Sequence, residues 1–134
     1  MSGFRIAANT QPFVIPKRRP EKKPDFIRWL HLLPCAVSDR YGVEAAHVSY
    51  ADPWYGCYGR GKGTKVPDLF AVPLHPEEHR RQHNGNERAY WEATGINPHE
   101  LSLCLFAIYS MYDSDSAVER ATARIRAGIE RVKS

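Results

Sequence analysis

The stretch DPWYGCYGRGKGTKVPD, residues 52–68, constrains this chain more than any other. Gly56, Gly59, Gly61 and Gly63 loosen the backbone, while Pro53 and Pro67 each remove a hydrogen-bond donor, so neither a helix nor a ladder can run through it. The segments beside it are short. "GVEAAHVSYA" reads as a strand from Val43 to Val48, led in by Gly42. "LFAVPL", residues 69–74, reads as a second strand, with Pro73 marking its end or an edge position. Two short strands around a long loop leave helices to supply most of the core. The expected class is α+β with very little strand.

The helices announce themselves by spacing and caps. "DFIRWLHLL" places Phe26, Ile27, Leu30 and Leu33 on one face, and Pro34 ends it. Pro76 suits a first helical turn, with Glu77 and Glu78 near the positive end. Asn84 precedes Glu87 by three, a capping-box spacing, for a helix running to Gly95. Asn97, Pro98 and Glu100 repeat the signature before "LSLCLFAIYSMY". Ser116 and Glu119 open the last helix, where Val118, Ala121, Ile125, Ile129 and Val132 form one apolar stripe against a basic outer face. That stripe is expected to pack on the domain; the alternative is a dimer seam, so the expected state is monomer or dimer.

A chain of 134 residues with 43% hydrophobic and 25% charged residues can bury one modest core. The expected division is a basic, proline-rich arm over residues 1–24, a domain over 25–112, and a C-terminal amphipathic helix over 113–134. In the arm, Lys17, Arg18, Arg19, Lys22 and Lys23 lie among prolines at 12, 16, 20 and 24. It reads either as a solvated tail or as a contact for a polyanionic backbone. The formal charge of +4 is a mild bias toward such a partner. Cys35, Cys57 and Cys104 are odd in number and lack a CxxC pair, which argues against a disulfide framework and a four-cysteine zinc site. No secretory h-region and no run approaching ~18 apolar residues is visible, so the expectation is a cytoplasmic protein without a membrane partner.

The chemistry concentrates in HPEEHRRQH, residues 75–83. His75, His79 and His83 are spaced one helical turn apart. Three readings compete. "GCYGRGK", residues 56–62, satisfies the P-loop pattern, but Gly63 stands where Ser or Thr should reach magnesium, and no helix is expected after it. "HPEEH" satisfies the inverted zincin pattern with Glu78 as base, but lacks a distant third ligand. The third reading uses more of the chain. A strand ending in His47, a glycine-rich loop, a short strand and a helix carrying His79 and His83 would form a ββα-metal unit. There two imidazoles share a divalent ion and a separate neutral histidine takes a proton from attacking water.

"LPCAVSDRYGVEAAHVSY", "GKGTKVPDLFAVPLHPEEHRRQH" and "NERAYWEATGI" resemble the HNH endonucleases of bacteriophages and prophages, most closely the small group of RecA-dependent phage recombination nucleases. The resemblance covers roughly residues 28–98. It implies a ββα-metal fold and metal-dependent hydrolysis of DNA phosphodiesters. His47 matches the general base, His79 and His83 the metal ligands, and Asp68 a residue that orients the base or approaches the metal. Ala46 departs from the pattern, since many members carry Asp or His there as a ligand; Glu44 is the nearest carboxylate and a possible ligand. Many members also hold a structural zinc, and the matching positions here are Cys35, Ser38, His75 and Glu78. Ser38 is a poor zinc ligand, so no normal knuckle is expected and His75 is left a role at the start of its helix. The implied cofactor is one divalent ion, Mg²⁺, Mn²⁺ or Zn²⁺. The implied partners are DNA and, from the nearest group, a RecA-type recombinase filament. The alternative is a catalytically weakened DNA-binding or recombination-accessory protein on the same scaffold.

Arg60, Lys62 and Lys65 on the loop, and Arg80 and Arg81 on the helix, are the candidate phosphate contacts. Tyr50, Trp54, Tyr55 and Tyr58 interleave with the loop. Their expected role is packing that holds the loop in place; stacking on an unpaired base is the alternative.

Overall fold

The structure, a computed structural model, describes residues 22–60 and 65–134. Most of the arm, and Lys62 with most of the second half of the P-loop pattern, lie outside the described residues. In chain order the elements are α1 (Pro24–Leu30), β1 (Glu44–His47), a 3₁₀ turn (Pro53–Tyr55), β2 (Ala71–Leu74), α2 (Pro76–His83), α3 (Glu87–Thr94), α4 (Pro98–Met111) and α5 (Ser114–Lys133). The fold is α+β: five α-helices around one antiparallel two-stranded sheet among the described residues.

The register pairs Glu44 with Leu74, Ala45 with Pro73, Ala46 with Val72 and His47 with Ala71. Both strands are edges, which is why Pro73 is tolerated within β2. Its carbonyl still accepts from the Ala36 amide at 2.9 Å. All four residues of β2 are buried, whereas β1 buries only Ala46. The sheet therefore presents one strand to the core, while β1 is exposed at Glu44 and leaves Ala45 and His47 half-buried.

The core joins the sheet to α1, α4 and α5. Phe26 of α1 meets Phe106 and Tyr109 of α4 at ring distances of 5.2 and 5.5 Å. Leu101 and Leu105 of α4, and Ala117, Ala121, Ile125 and Ile129 of α5, are buried in the same cluster. The stripe of α5 is thus headed by Ala117, with Val118 only partly buried and Val132 44% exposed. The stripe packs on the domain. No helix of the described residues is long and apolar enough to cross a membrane.

Two caps differ from expectation. Asn84 closes α2 at its C-terminus, and the side chain capping α3 is Asn86, accepting from the Ala89 amide at 2.9 Å. The last helix starts at Ser114, capped by Asp113, whose carboxylate accepts from the Ser116 amide at 3.0 Å. Asn97 caps α4 as its sequence signature predicts, accepting from the Glu100 amide.

Candidate functional site

β1, the long loop and α2 line an open cleft of about 710 Å³. His47 from the end of β1, Asp68 from the approach to β2, and His79 and His83 from α2 all line it. β2 passes into α2 through His75 alone, so the sheet fixes where the helix begins. Pro76 occupies the first turn and the His75 ring caps it, Nδ1 accepting from the Glu77 amide at 3.3 Å.

His47 and Asp68 are hydrogen-bonded, Nε2 to Oδ1, at 2.8 Å. A carboxylate only accepts, so this bond assigns the ring hydrogen to Nε2 and leaves the lone pair on Nδ1. Asp68 is held in turn, its Oδ2 accepting from the Lys23 amide at 2.8 Å. Behind the pair, the Gln82 amide donates to the His47 carbonyl at 3.2 Å and to Glu87 at 3.0 Å. Glu87 also accepts from the Ser49 amide at 2.8 Å. Gln82 is 2% exposed, an amide buried to hold the backbone of β1 and the loop.

His79 and His83 face each other, Nε2 to Nε2, at 3.1 Å. Two imidazoles at ~2.1 Å from one ion stand about 3.0 Å apart at right angles and about 3.4 Å apart at a tetrahedral angle, so the observed separation suits a shared ion. The other nitrogen of His79, Nδ1, donates to Glu44 Oε1 at 2.8 Å. That assigns the Nε2 lone pair to the cleft, and His83 offers its own once its hydrogen sits on Nδ1. Glu44 therefore stands behind His79 as its hydrogen-bond acceptor, the arrangement that orients a ligating histidine and raises its basicity. Among the described residues no group of three or more His, Cys, Asp or Glu side chains is arranged to hold an ion. The pair supplies two donors, and water or a ligand's oxygens would complete the shell.

Ala46 is fully buried, on the face of β1 opposite His47. The four positions matching a structural zinc site have protein partners. Cys35 Sγ accepts from the amides of Val37 and Ser38 at 3.5 and 3.4 Å, and Ser38 Oγ accepts from Arg40. His75 is the cap described above. Glu78, 7% exposed, accepts from the Tyr90 hydroxyl at 2.7 Å and from Arg81 at 2.5 Å. Burial, then the bond to Glu78, pushes the Tyr90 hydroxyl far above the usual phenol range. A carboxylate so engaged is not placed as the base that the inverted zincin pattern requires. Nor does a helix follow the P-loop pattern, since residues 65–70 are irregular.

Of the expected phosphate contacts, Arg60 and Lys65 line the cleft, joined by Lys22. Arg80 is exposed outside it, and Arg81 pairs with Glu78 instead. Sequence reasoning missed Gln82 and Glu87, whose roles depend on contacts across the fold. Only the helical spacing of Gln82, between the two histidines, hinted at a place near the site.

A family described as protein of unknown function (DUF968) matches residues 7–107. No curated protein and no solved structure matches the chain.

Proposed function

The chain belongs to the DUF968 family, and within it we propose, from the geometry of the cleft, that this protein is a metal-dependent DNA endonuclease of the HNH type. One observation carries the reading: a carboxylate-held histidine and a facing histidine pair meet in a single cleft edged by cations. His47 Nδ1 takes a proton from the attacking water, and Asp68 holds the ring in the tautomer that can do so. When bound at His79 and His83, a divalent ion supplies Lewis-acid stabilisation of charge at the scissile phosphate and the leaving oxygen. Glu44 fixes the His79 ring so that Nε2 stays directed into the cleft. Arg60, Lys65 and Lys22 draw the phosphate backbone into place. In-line attack would leave a 5′-phosphate and a 3′-hydroxyl. The setting in phage recombination, with a RecA-type filament as partner, rests on the sequence resemblance alone.

A second reading is a DNA-binding accessory protein on the same scaffold. Ala46 and the two-histidine donor set favour it, since both leave the ion with few protein ligands. Incubating the protein with supercoiled DNA and Mg²⁺, Mn²⁺ or EDTA separates the two. Metal-dependent nicking supports the nuclease, whereas binding without nicking under every metal supports the accessory role.

A further inference from the structure

The four loop aromatics divide into two pairs. Tyr50 and Tyr55 are packed: their rings lie 4.7 and 6.3 Å from that of the buried His99, whose Nε2 meets the Tyr50 carbonyl at 2.9 Å. Tyr55 also donates to Glu100 at 3.4 Å. These two hold the loop to α4, as expected. Trp54 and Tyr58 do not; they are 87% and 80% exposed, and among the described residues neither ring meets another ring or a cation.

Trp54 and Tyr58 are the two most exposed of the large hydrophobic side chains among the described residues, and each ring offers a broad apolar face. Here the backbone beneath them is firmly built. Asp52 and Cys57 exchange amide–carbonyl bonds of 2.8 and 3.2 Å, and the Asp52 side chain caps the turn through the Trp54 amide. Gly56 turns the chain at a φ of 79°. Gly59, at a φ of 77°, lies so close to Ala51 that a Cβ would stand 3.1 Å from its nitrogen. The result is a small hairpin with Trp54 at its tip. At its base the Arg60 amide donates to the Ser49 carbonyl at 3.1 Å, and both residues line the catalytic cleft. Extended residues advance about 3.3 Å each, so the tip, five residues from Ser49, lies within about 17 Å of the cleft wall.

We propose that Trp54 and Tyr58 are a stacking platform for unpaired bases, so that the DNA this cleft accepts carries a single-stranded segment reaching from the cleft cations to the hairpin tip. This rests on the nucleic-acid reading above but not on cleavage. A fully paired duplex keeps its base faces within its own stack and offers the rings nothing to lie on. An unpaired strand offers both a backbone for Arg60 and Lys65 and ring faces for the aromatics, in any sequence.

Trp54 also provides the readout, because Trp29 and Trp91, the other two tryptophans, are buried. The test titrates the full chain in EDTA with a 20-nucleotide oligo-dT and with a 20-base-pair duplex, following tryptophan emission and the anisotropy of labelled DNA. Oligo-dT is expected to quench the Trp54 emission. Trp54→Ala is expected to weaken oligo-dT binding about tenfold or more, Tyr58→Ala to act in the same direction, and Trp54→Phe to keep most of the affinity. Duplex binding should be unmoved by all three. Equal oligo-dT affinity in wild type and Trp54→Ala, or equal losses on both DNAs, would overturn the proposal. Selective Trp54-dependent binding in a protein that never nicks would sink the nuclease and leave the platform standing. Nicking with oligo-dT affinity untouched by Trp54→Ala would do the reverse.

Discussion

His47 and Asp68 are 21 positions apart in sequence and 2.8 Å apart in space, and the site depends on that bond. Asp68→Asn keeps the shape but can present an amide N–H to Nε2, favouring the wrong tautomer. It should lower cleavage roughly 10²- to 10⁴-fold while DNA binding persists, measured by nicking rates beside anisotropy. Glu44→Gln weakens the acceptor behind His79. We expect metal affinity to fall about 10- to 100-fold, read by isothermal titration with Mn²⁺ or Zn²⁺. A change confined to activity, with affinity intact, would contradict the role assigned to Glu44. The His79–His83 pair was legible because one helical turn brings them together. Glu44 was legible only as a nearby carboxylate, since its carboxylate reaches His79 from another element.

At the scale of elements, helix starts were legible where the cap is purely local. Asn97 shows this, and Asn97→Ala should cost about 1 kcal/mol in urea denaturation. The start of α3 was misplaced because Glu87, expected to close a box with Asn84, is drawn away by Ser49 and Gln82. Tertiary contacts outbid the local rule, and nothing in a single sequence reports them. The strands were located, though each is shorter than its apolar run, because pairing stops where the loop leaves the sheet. A related contact joins α2 to α3. Tyr90→Phe leaves the buried Glu78 without its 2.7 Å donor, so stability should fall by about 1–3 kcal/mol. Cleavage should change little. A drop in activity without loss of stability would instead put Glu78 in the chemistry.

Across the whole molecule, the sheet is less a core than a mount. Buried β2 anchors it, and β1 delivers the half-buried His47 to the cleft that α2 also lines. Cations from two segments, Lys22 before α1 and Arg60 and Lys65 of the long loop, edge that cleft. Lys65→Ala should therefore weaken DNA binding alike on different sequences and lower the slope of log affinity against log salt by about one. The class of fold followed from the glycine- and proline-broken loop, but which of its aromatics pack and which stand open did not, because exposure is settled by neighbours such as His99. The central claim, that this cleft hydrolyses DNA with His47 as base, is tested most directly by nicking of supercoiled plasmid in Mg²⁺, Mn²⁺ or EDTA by wild type and His47→Ala. The account predicts metal-dependent nicking by the wild type that His47→Ala abolishes. Nicking at equal rates by both proteins would contradict it.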